Sequence, residues 1–270
     1  MEPIIFAKMR MTGCGPEKAR GKTVRVRKPA ARAVVRVRFD GGCELDYFND
    51  RFDLKPGDAV FVDGRFAGQL GRVVSVSRHF KIRPEDYKRV IGLADTRVSG
   101  RFCRVDSYLV TFDRRALPYG RFRSWVLPPE PDGEYLTGYG DERVDLSDRG
   151  TWPFDAGVLE RGIGYFRDGH VRYLSLSSGR GRAVVDGSRP YEVEFRYKDG
   201  IAARLSCTCP CGYPCKHEAA VLLQLAQLRE RLGDRCAAEW SRSGYFAAVS
   251  APLFFSLAVG DGTLLRLERQ

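Results

Sequence analysis

Four of the eight cysteines of this 270-residue chain fall between Cys207 and Cys215, with His217 just beyond, in the segment LSCTCPCGYPCKHEAAVLLQL from Leu205 to Leu225. A disulfide framework spreads its cysteines through a small secreted chain, whereas thiols crowded beside a histidine point to metal ligation. Cys207, Cys209, Cys215 and His217 form the pattern C-x-C-x5-C-x-H. Three sulfurs and one imidazole are donors that suit one tetrahedral zinc ion. Two other readings stay open at this point. An iron–sulfur cluster would use four cysteines and leave His217 without a role, and four reduced thiols would hold no metal at all. Cys211 is an extra thiol that could replace a neighbour, free His217 or face solvent. Catalytic zinc keeps a position open for water, while four protein ligands close the shell. A single Zn2+ on this set is therefore expected to be structural, its binding energy contributing to folding. Cys14, Cys43, Cys103 and Cys236 lie singly and read as free thiols.

These ligands need elements to bring them together. Cys207 and Cys209, one residue apart at the end of an extended run, can chelate one ion if the backbone turns there. Pro210, Gly212 and Pro214 supply the turning chemistry. The following HEAAVLLQLAQLRERLG reads as a helix, with Ala219, Leu222, Leu223 and Ala226 on one face and Gly233 as its stop. Cys215 and His217 then sit at its first turn, where the positive end of the helix dipole favours thiolate over thiol.

This stretch resembles the SWIM-type zinc finger, a ββα module with C-x-C, a variable loop, then C-x-H and an apolar helix. The resemblance extends upstream through Gly164 to Gly169 (GYFRDG), Ala183 to Gly187 (AVVDG) and Tyr191 to Phe195 (YEVEF), which are similar to the strands before such a finger. It covers about residues 158 to 232, and Cys211 is its one departure. The resemblance implies that Cys207, Cys209, Cys215 and His217 are the ligands and that Cys211 is not. It also implies non-enzymatic nucleic-acid binding, DNA being favoured, in an accessory role to repair, recombination or helicase action.

The front of the chain alternates apolar and polar residues in short runs: VRVR from Val24, VVRVRFD from Val34, then ELDYF, AVFVDG and GRVVSVS. Turn signals at Gly41-Gly42, Pro56-Gly57 and Asp63-Gly64 separate them, which predicts a small antiparallel barrel or sandwich, the barrel being favoured. Alternation places Val35, Val37 and Phe39 on one face and Arg36 and Arg38 on the other, with Arg25 and Arg27 doing likewise. That cationic face either holds a phosphate backbone or pairs with Asp40, Asp46, Asp50 and Asp53. The run from Asp53 to Val76 weakly resembles the SH3-like or OB-like barrels of bacterial nucleic-acid factors, which bears on fold class alone. Pro84 to Val90 reads as a short helix and Phe102 to Phe112 as one strand.

Net charge is +11, distributed as +13 over residues 1–127, −7 over 128–160 and +5 over 161–270. The expected fold is therefore α+β and mostly β: a basic barrel at 1–127, an acidic Pro- and Gly-rich connector at 128–157, the SWIM-like module at 158–240 and an apolar tail at 241–270 packing back on the fold. Nucleic-acid contacts are expected from Arg25, Arg27, Arg36, Arg38, Arg172, Arg196, Arg204 and Lys216. There is no phosphate loop, dinucleotide-binding fingerprint or nucleophile elbow, so no catalytic residue is assigned. His170 in RDGHV reads as a polar turn residue. Two rivals stand: an adaptor docking a helicase or recombinase, and a metal-dependent nuclease with scattered carboxylates. The longest uncharged apolar stretch, Phe246 to Val259, is broken by Ser250, Pro252 and Ser256 and falls short of the roughly 20 residues a bilayer requires. No secretory signal opens the chain, so a cytoplasmic location and no membrane partner are expected.

Overall fold

The structure, a computed structural model, describes residues 32–129, 142–211, 214–258 and 264–268. It is α+β and mostly β, with two sheets. Strands β1 (Ala33–Arg38), β2 (Glu44–Asn49), β3 (Ala59–Val62), β4 (Leu70–Ser77) and β5 (Val90–Ala94) form an antiparallel sheet in the order β2-β1-β4-β3-β5. The alternation in β1 buries Val35 and Val37 and exposes Arg36 and Arg38. Val35 and Val37 meet Phe39, Tyr47, Val60 and Val73 in a small core.

The expected barrel does not close. A closed barrel needs a continuous ladder around the ring, yet β5 pairs with β3, and the edge strand β2 meets the chain before β5 only at the bridge Phe48↔Arg89. The five strands therefore remain an open sheet.

The second sheet is larger. Its strands are β6 (Ser99–Val105), β7 (Tyr108–Thr111), β8 (Arg143–Asp145), β9 (Val171–Ser177), β10 (Arg180–Asp186), β11 (Pro190–Lys198), β12 (Ile201–Cys207), β13 (Tyr245–Ser250) and β14 (Leu264–Glu268), in the order β14-β6-β7-β13-β9-β10-β11-β12-β8. Among the described residues four helices accompany it: α1 (Tyr119–Val126), α2 (Ala156–Arg167), α3 (Lys216–Ser243) and α4 (Ala251–Leu257). Helices α2 and α3 cover one face, where Leu174, Leu176, Val193, Phe195 and Leu222 share a core. Helices α1 and α4 cover part of the other, where Phe122 stacks on Tyr173 with centroids 4.5 Å apart. The sheets divide between Ala94 and Ser99, so β6, β7 and α1 belong with the second sheet although they precede the acidic segment. Arg72 of β4 donates to the Leu257 carbonyl at 2.7 Å and links the two.

Several local expectations change. Phe102 to Phe112 is a hairpin, turning at Asp106 with φ 51°. Pro84 to Asp86 makes only a single 3-10 turn. Gly164 to Arg167 ends helix α2, which Asp155 caps by accepting from the Val158 N–H at 2.7 Å. Gly233 breaks the helical path with φ 46° and ψ −131°, but α3 resumes and ends at Gly244 in the left-handed region. The C-terminal segment, expected to pack back on the fold, enters the second sheet as an inner strand: all six residues of β13 are buried, between β7 and β9. Its run of small and apolar residues suits a strand covered on both faces. No helix among the described residues is long and apolar enough to cross a membrane.

Helix α4 offers a direct comparison. Phe254 is fully buried against Phe102 and Trp125, whereas its neighbour Phe255 is 47% exposed. Phe254→Ala is expected to cost about 3–5 kcal/mol and Phe255→Ala less than about 0.5 kcal/mol, measured by denaturant unfolding. Equal losses would contradict the packing of α4.

Candidate metal centre

The site forms where β12 gives way to α3. Strand β12 carries a bulge against β11: Glu194 faces Ser206 and Arg196 faces Ala203, with Arg204 in the left-handed region at φ 53°. Beyond the strand, Thr208 N–H donates to the Glu192 carbonyl at 3.0 Å and its hydroxyl accepts from Glu192 N–H at 2.9 Å. Thr208 lies between Cys207 and Cys209, so this exchange anchors the first two sulfurs to β11. Cys215 is the N-cap of α3 in extended backbone. Glu218 accepts from the Cys215 N–H at 2.7 Å and completes a capping box. One residue after the cap, Lys216 opens the helix, and His217 follows in its first turn.

His217 is 2% exposed and held by two rings, Tyr191 at 4.9 Å and Tyr165 at 5.3 Å between centroids. Its Nδ1 lies 3.8 Å from Cys207 Sγ and 3.7 Å from Cys215 Sγ. All four ligand atoms of Cys207, Cys209, Cys215 and His217 lie within 4.8 Å of one another. Zinc bonds of about 2.3 Å to sulfur and about 2.0 Å to nitrogen imply tetrahedral edges of about 3.5 Å between N and S and about 3.8 Å between sulfurs. The two nitrogen–sulfur separations lie close to that edge. Nδ1 is thus the nitrogen placed to ligate an ion, and Nε2 is buried with no hydrogen-bond partner among the described residues. It lies against Gly187, where a Cβ would come within 3.3 Å of Nε2 and 2.6 Å of Tyr191 Cε2.

Three thiols this close do not ionise alike. The Cys207 thiol donates to the Cys215 sulfur, drawing Cys215 down to about 4 and pushing Cys207 well above the usual thiol range. Burial pushes Cys209 up to about 11. Burial likewise lifts Glu218 to about 8.

The structure brings the four expected ligands together and leaves Cys211 exposed, outside the cluster. It does not gather the expected cationic residues. Arg36 pairs across the strands with Asp46 at 2.9 Å and Arg38 with Glu44 at 2.6 Å; Asp50 takes Arg89 and Asp53 takes Arg78. The face expected to meet phosphate is thus largely neutralised by its own carboxylates. Arg25 and Arg27 lie outside the described residues. Arg172 pairs with Asp186. Lys216 places its ammonium 4.2 Å from the Tyr165 ring centre. Arg196 and Arg204 are exposed on β11 and β12. His170 is not a polar turn residue: it stacks on Tyr165 at 4.3 Å, with Nδ1 buried and unpaired among the described residues. Glu218, Gly187 and the two tyrosines escaped sequence reasoning, although an acid three residues after an N-cap is a recognisable signal.

Residues 196–226 match the family model described as SWIM zinc finger, a span that takes in the end of β11, β12, all four ligands and the apolar start of α3. This part of the chain is a SWIM zinc-finger segment with a Cys3His set that suits zinc. No curated protein and no solved structure matches the chain.

Because Cys211 stands outside the ligand set, Cys211→Ser should keep the zinc content of the purified protein, while Cys215→Ser should abolish tight binding. Elemental mass spectrometry of the two variants measures this directly. A loss of metal from Cys211→Ser would redraw the site.

Proposed function

We propose that this chain is a zinc-stabilised, non-enzymatic nucleic-acid-binding protein, with DNA the favoured polymer, accessory to repair, recombination or helicase action. The observation that carries this reading is the closed ligand set: Cys207, Cys209, Cys215 and His217 supply four donors within 4.8 Å, which is the pattern of a structural rather than a catalytic zinc. Zinc on these residues would cross-link the end of β12 to the start of α3 and compensate the charge of the thiolates. Cys207 and Cys209 then hold the strand end, Cys215 holds the helix cap, and His217 locks the first turn against Tyr165 and Tyr191. A net charge of +11 favours a polyanionic partner.

A protein adaptor is the second reading, supported by one feature. A hollow of about 500 Å³ beside α3 is lined by Leu146, Leu176, Leu225, Trp240 and Phe246, a lining that suits an apolar side chain of a partner such as a helicase or recombinase.

Salt separates the two. Phosphate contact gives a linear fall of log affinity with log salt, whereas apolar docking persists at ionic strengths that screen charge. The zinc-loaded chain is expected to shift a mixed-sequence DNA duplex at low salt and release it as salt rises, without cleaving it when magnesium or manganese is added. One zinc per chain with no DNA affinity at low salt would favour the adaptor; metal-dependent cleavage would favour a nuclease.

A further inference from the structure

The cations of the two sheets are placed differently. On β1 and β2 each arginine facing solvent is set opposite an acid, Arg36 to Asp46 and Arg38 to Glu44. On the second sheet one row breaks that rule. Arg180 of β10 stands directly opposite Arg196 of β11; Arg196 faces Ala203 of β12, and Ala203 faces Arg143 of β8. All three arginines are exposed, and none has an acidic partner among the described residues. Like charges directly opposite each other destabilise a sheet, so the fold bears a cost at Arg180 and Arg196 that a bound anion would remove.

The row lies on the face that α1 and α4 cover only in part. Two residues along, Arg182 and Glu194 form the next cross-strand pair at 3.0 Å, and Arg182 sits over the Tyr119 ring of α1. Helix α1 therefore ends its cover there, and the Arg180–Arg196 row lies beyond it. In the other direction the row continues through Ser177 to Tyr245, above whose ring Arg114 is held at 5.8 Å. The result is a band crossing six strands, from β13 to β8, with cations on it and no acid in register with them; Lys198 and Asp199 line the same hollow as Arg143, Arg196 and Ala203. Neighbouring strands are about 4.8 Å apart, so Arg180, Arg196 and Arg143 span about 14 Å. The small side chain of Ala203 leaves the sheet low between Arg196 and Arg143.

We propose that this band, centred on Arg180 and Arg196 with Arg143 at its end, is the surface that grips the phosphate backbone of a nucleic acid. It rests on the nucleic-acid reading above, keeps Arg196 of the contacts expected from the sequence, adds Arg180 and Arg143, and leaves out the arginines of the first sheet. Arginine forks take phosphate oxygens in pairs, and two guanidiniums on adjacent strands can share one phosphate group. Such contacts carry no sequence information, so binding through the band is weakly selective.

The test uses the full zinc-loaded chain and a mixed-sequence DNA duplex, with affinity measured across a salt series. Arg143→Ala/Arg180→Ala/Arg196→Ala should weaken binding by at least about tenfold and make the salt slope shallower by about 2 to 3, with zinc content unchanged. Arg180→Lys/Arg196→Lys should recover most of the slope, and Arg36→Ala/Arg38→Ala should leave affinity within about twofold. Should the triple variant not fold, Arg196→Glu alone carries the test and should weaken binding. Wild-type affinity and slope in a folded band variant would overturn the assignment of the surface. A wild-type chain that binds no DNA would instead overturn the functional reading beneath it.

Discussion

Four ligand atoms held within 4.8 Å, three of them sulfur, impose an electrostatic constraint that the rest of the finger serves. Thiolates packed this closely repel one another, and burial raises the cost of each charge. The neighbouring groups act on that cost one by one. Cys215 gains from its place at the start of α3, where the free N–H groups of the helix point toward its sulfur. His217 brings a neutral donor in place of a fourth thiolate. A divalent cation held by these four residues would supply the remaining compensation and contribute its binding energy to the fold.

The site is also tied to the opposite face of the sheet. Thr208 exchanges hydrogen bonds with the backbone of Glu192, and the Glu192 carboxylate accepts from Arg123 and Tyr119 of α1. Both charged partners are mostly shielded, at 25% and 17% side-chain exposure, so removing either leaves the other poorly solvated. One residue of β11 thus connects the ligand loop on one side with a helix on the other. The finger is a part of the nine-stranded sheet, not an appendage to it.

The cluster was legible in the sequence because it depends on residue type and local spacing. Which thiols belong to it was not: spacing left Cys211 as an alternative ligand, which the family resemblance set aside and the geometry places outside the cluster. What could not be read was partnership over distance. Nothing in VVRVRFD says that Asp46 and Glu44 will face Arg36 and Arg38, since that follows from the register of a hairpin. The barrel was wrong for a related reason: alternation reveals strands but not whether the last of them reaches the first. GYFRDG resembles the strands before such a finger yet closes helix α2, which Asp155 caps and whose Gly162 sits close against Ala219. The C-terminal segment was expected to pack back on the fold, but nothing in its sequence says that it enters the sheet between β7 and β9.

That last point bears on how the protein is made. Strand β13 lies between β7 and β9, so the hairpin containing β7 and the meander beginning at β9 do not pair with each other until Tyr245–Ser250 is in place. On the ribosome, the β7 edge would wait unpaired while well over a hundred residues emerge and the β9 edge for about half as many, the condition under which strand edges recruit the wrong neighbour. Closure of the large sheet is therefore a late step of synthesis, completed only after every residue of the finger has been made.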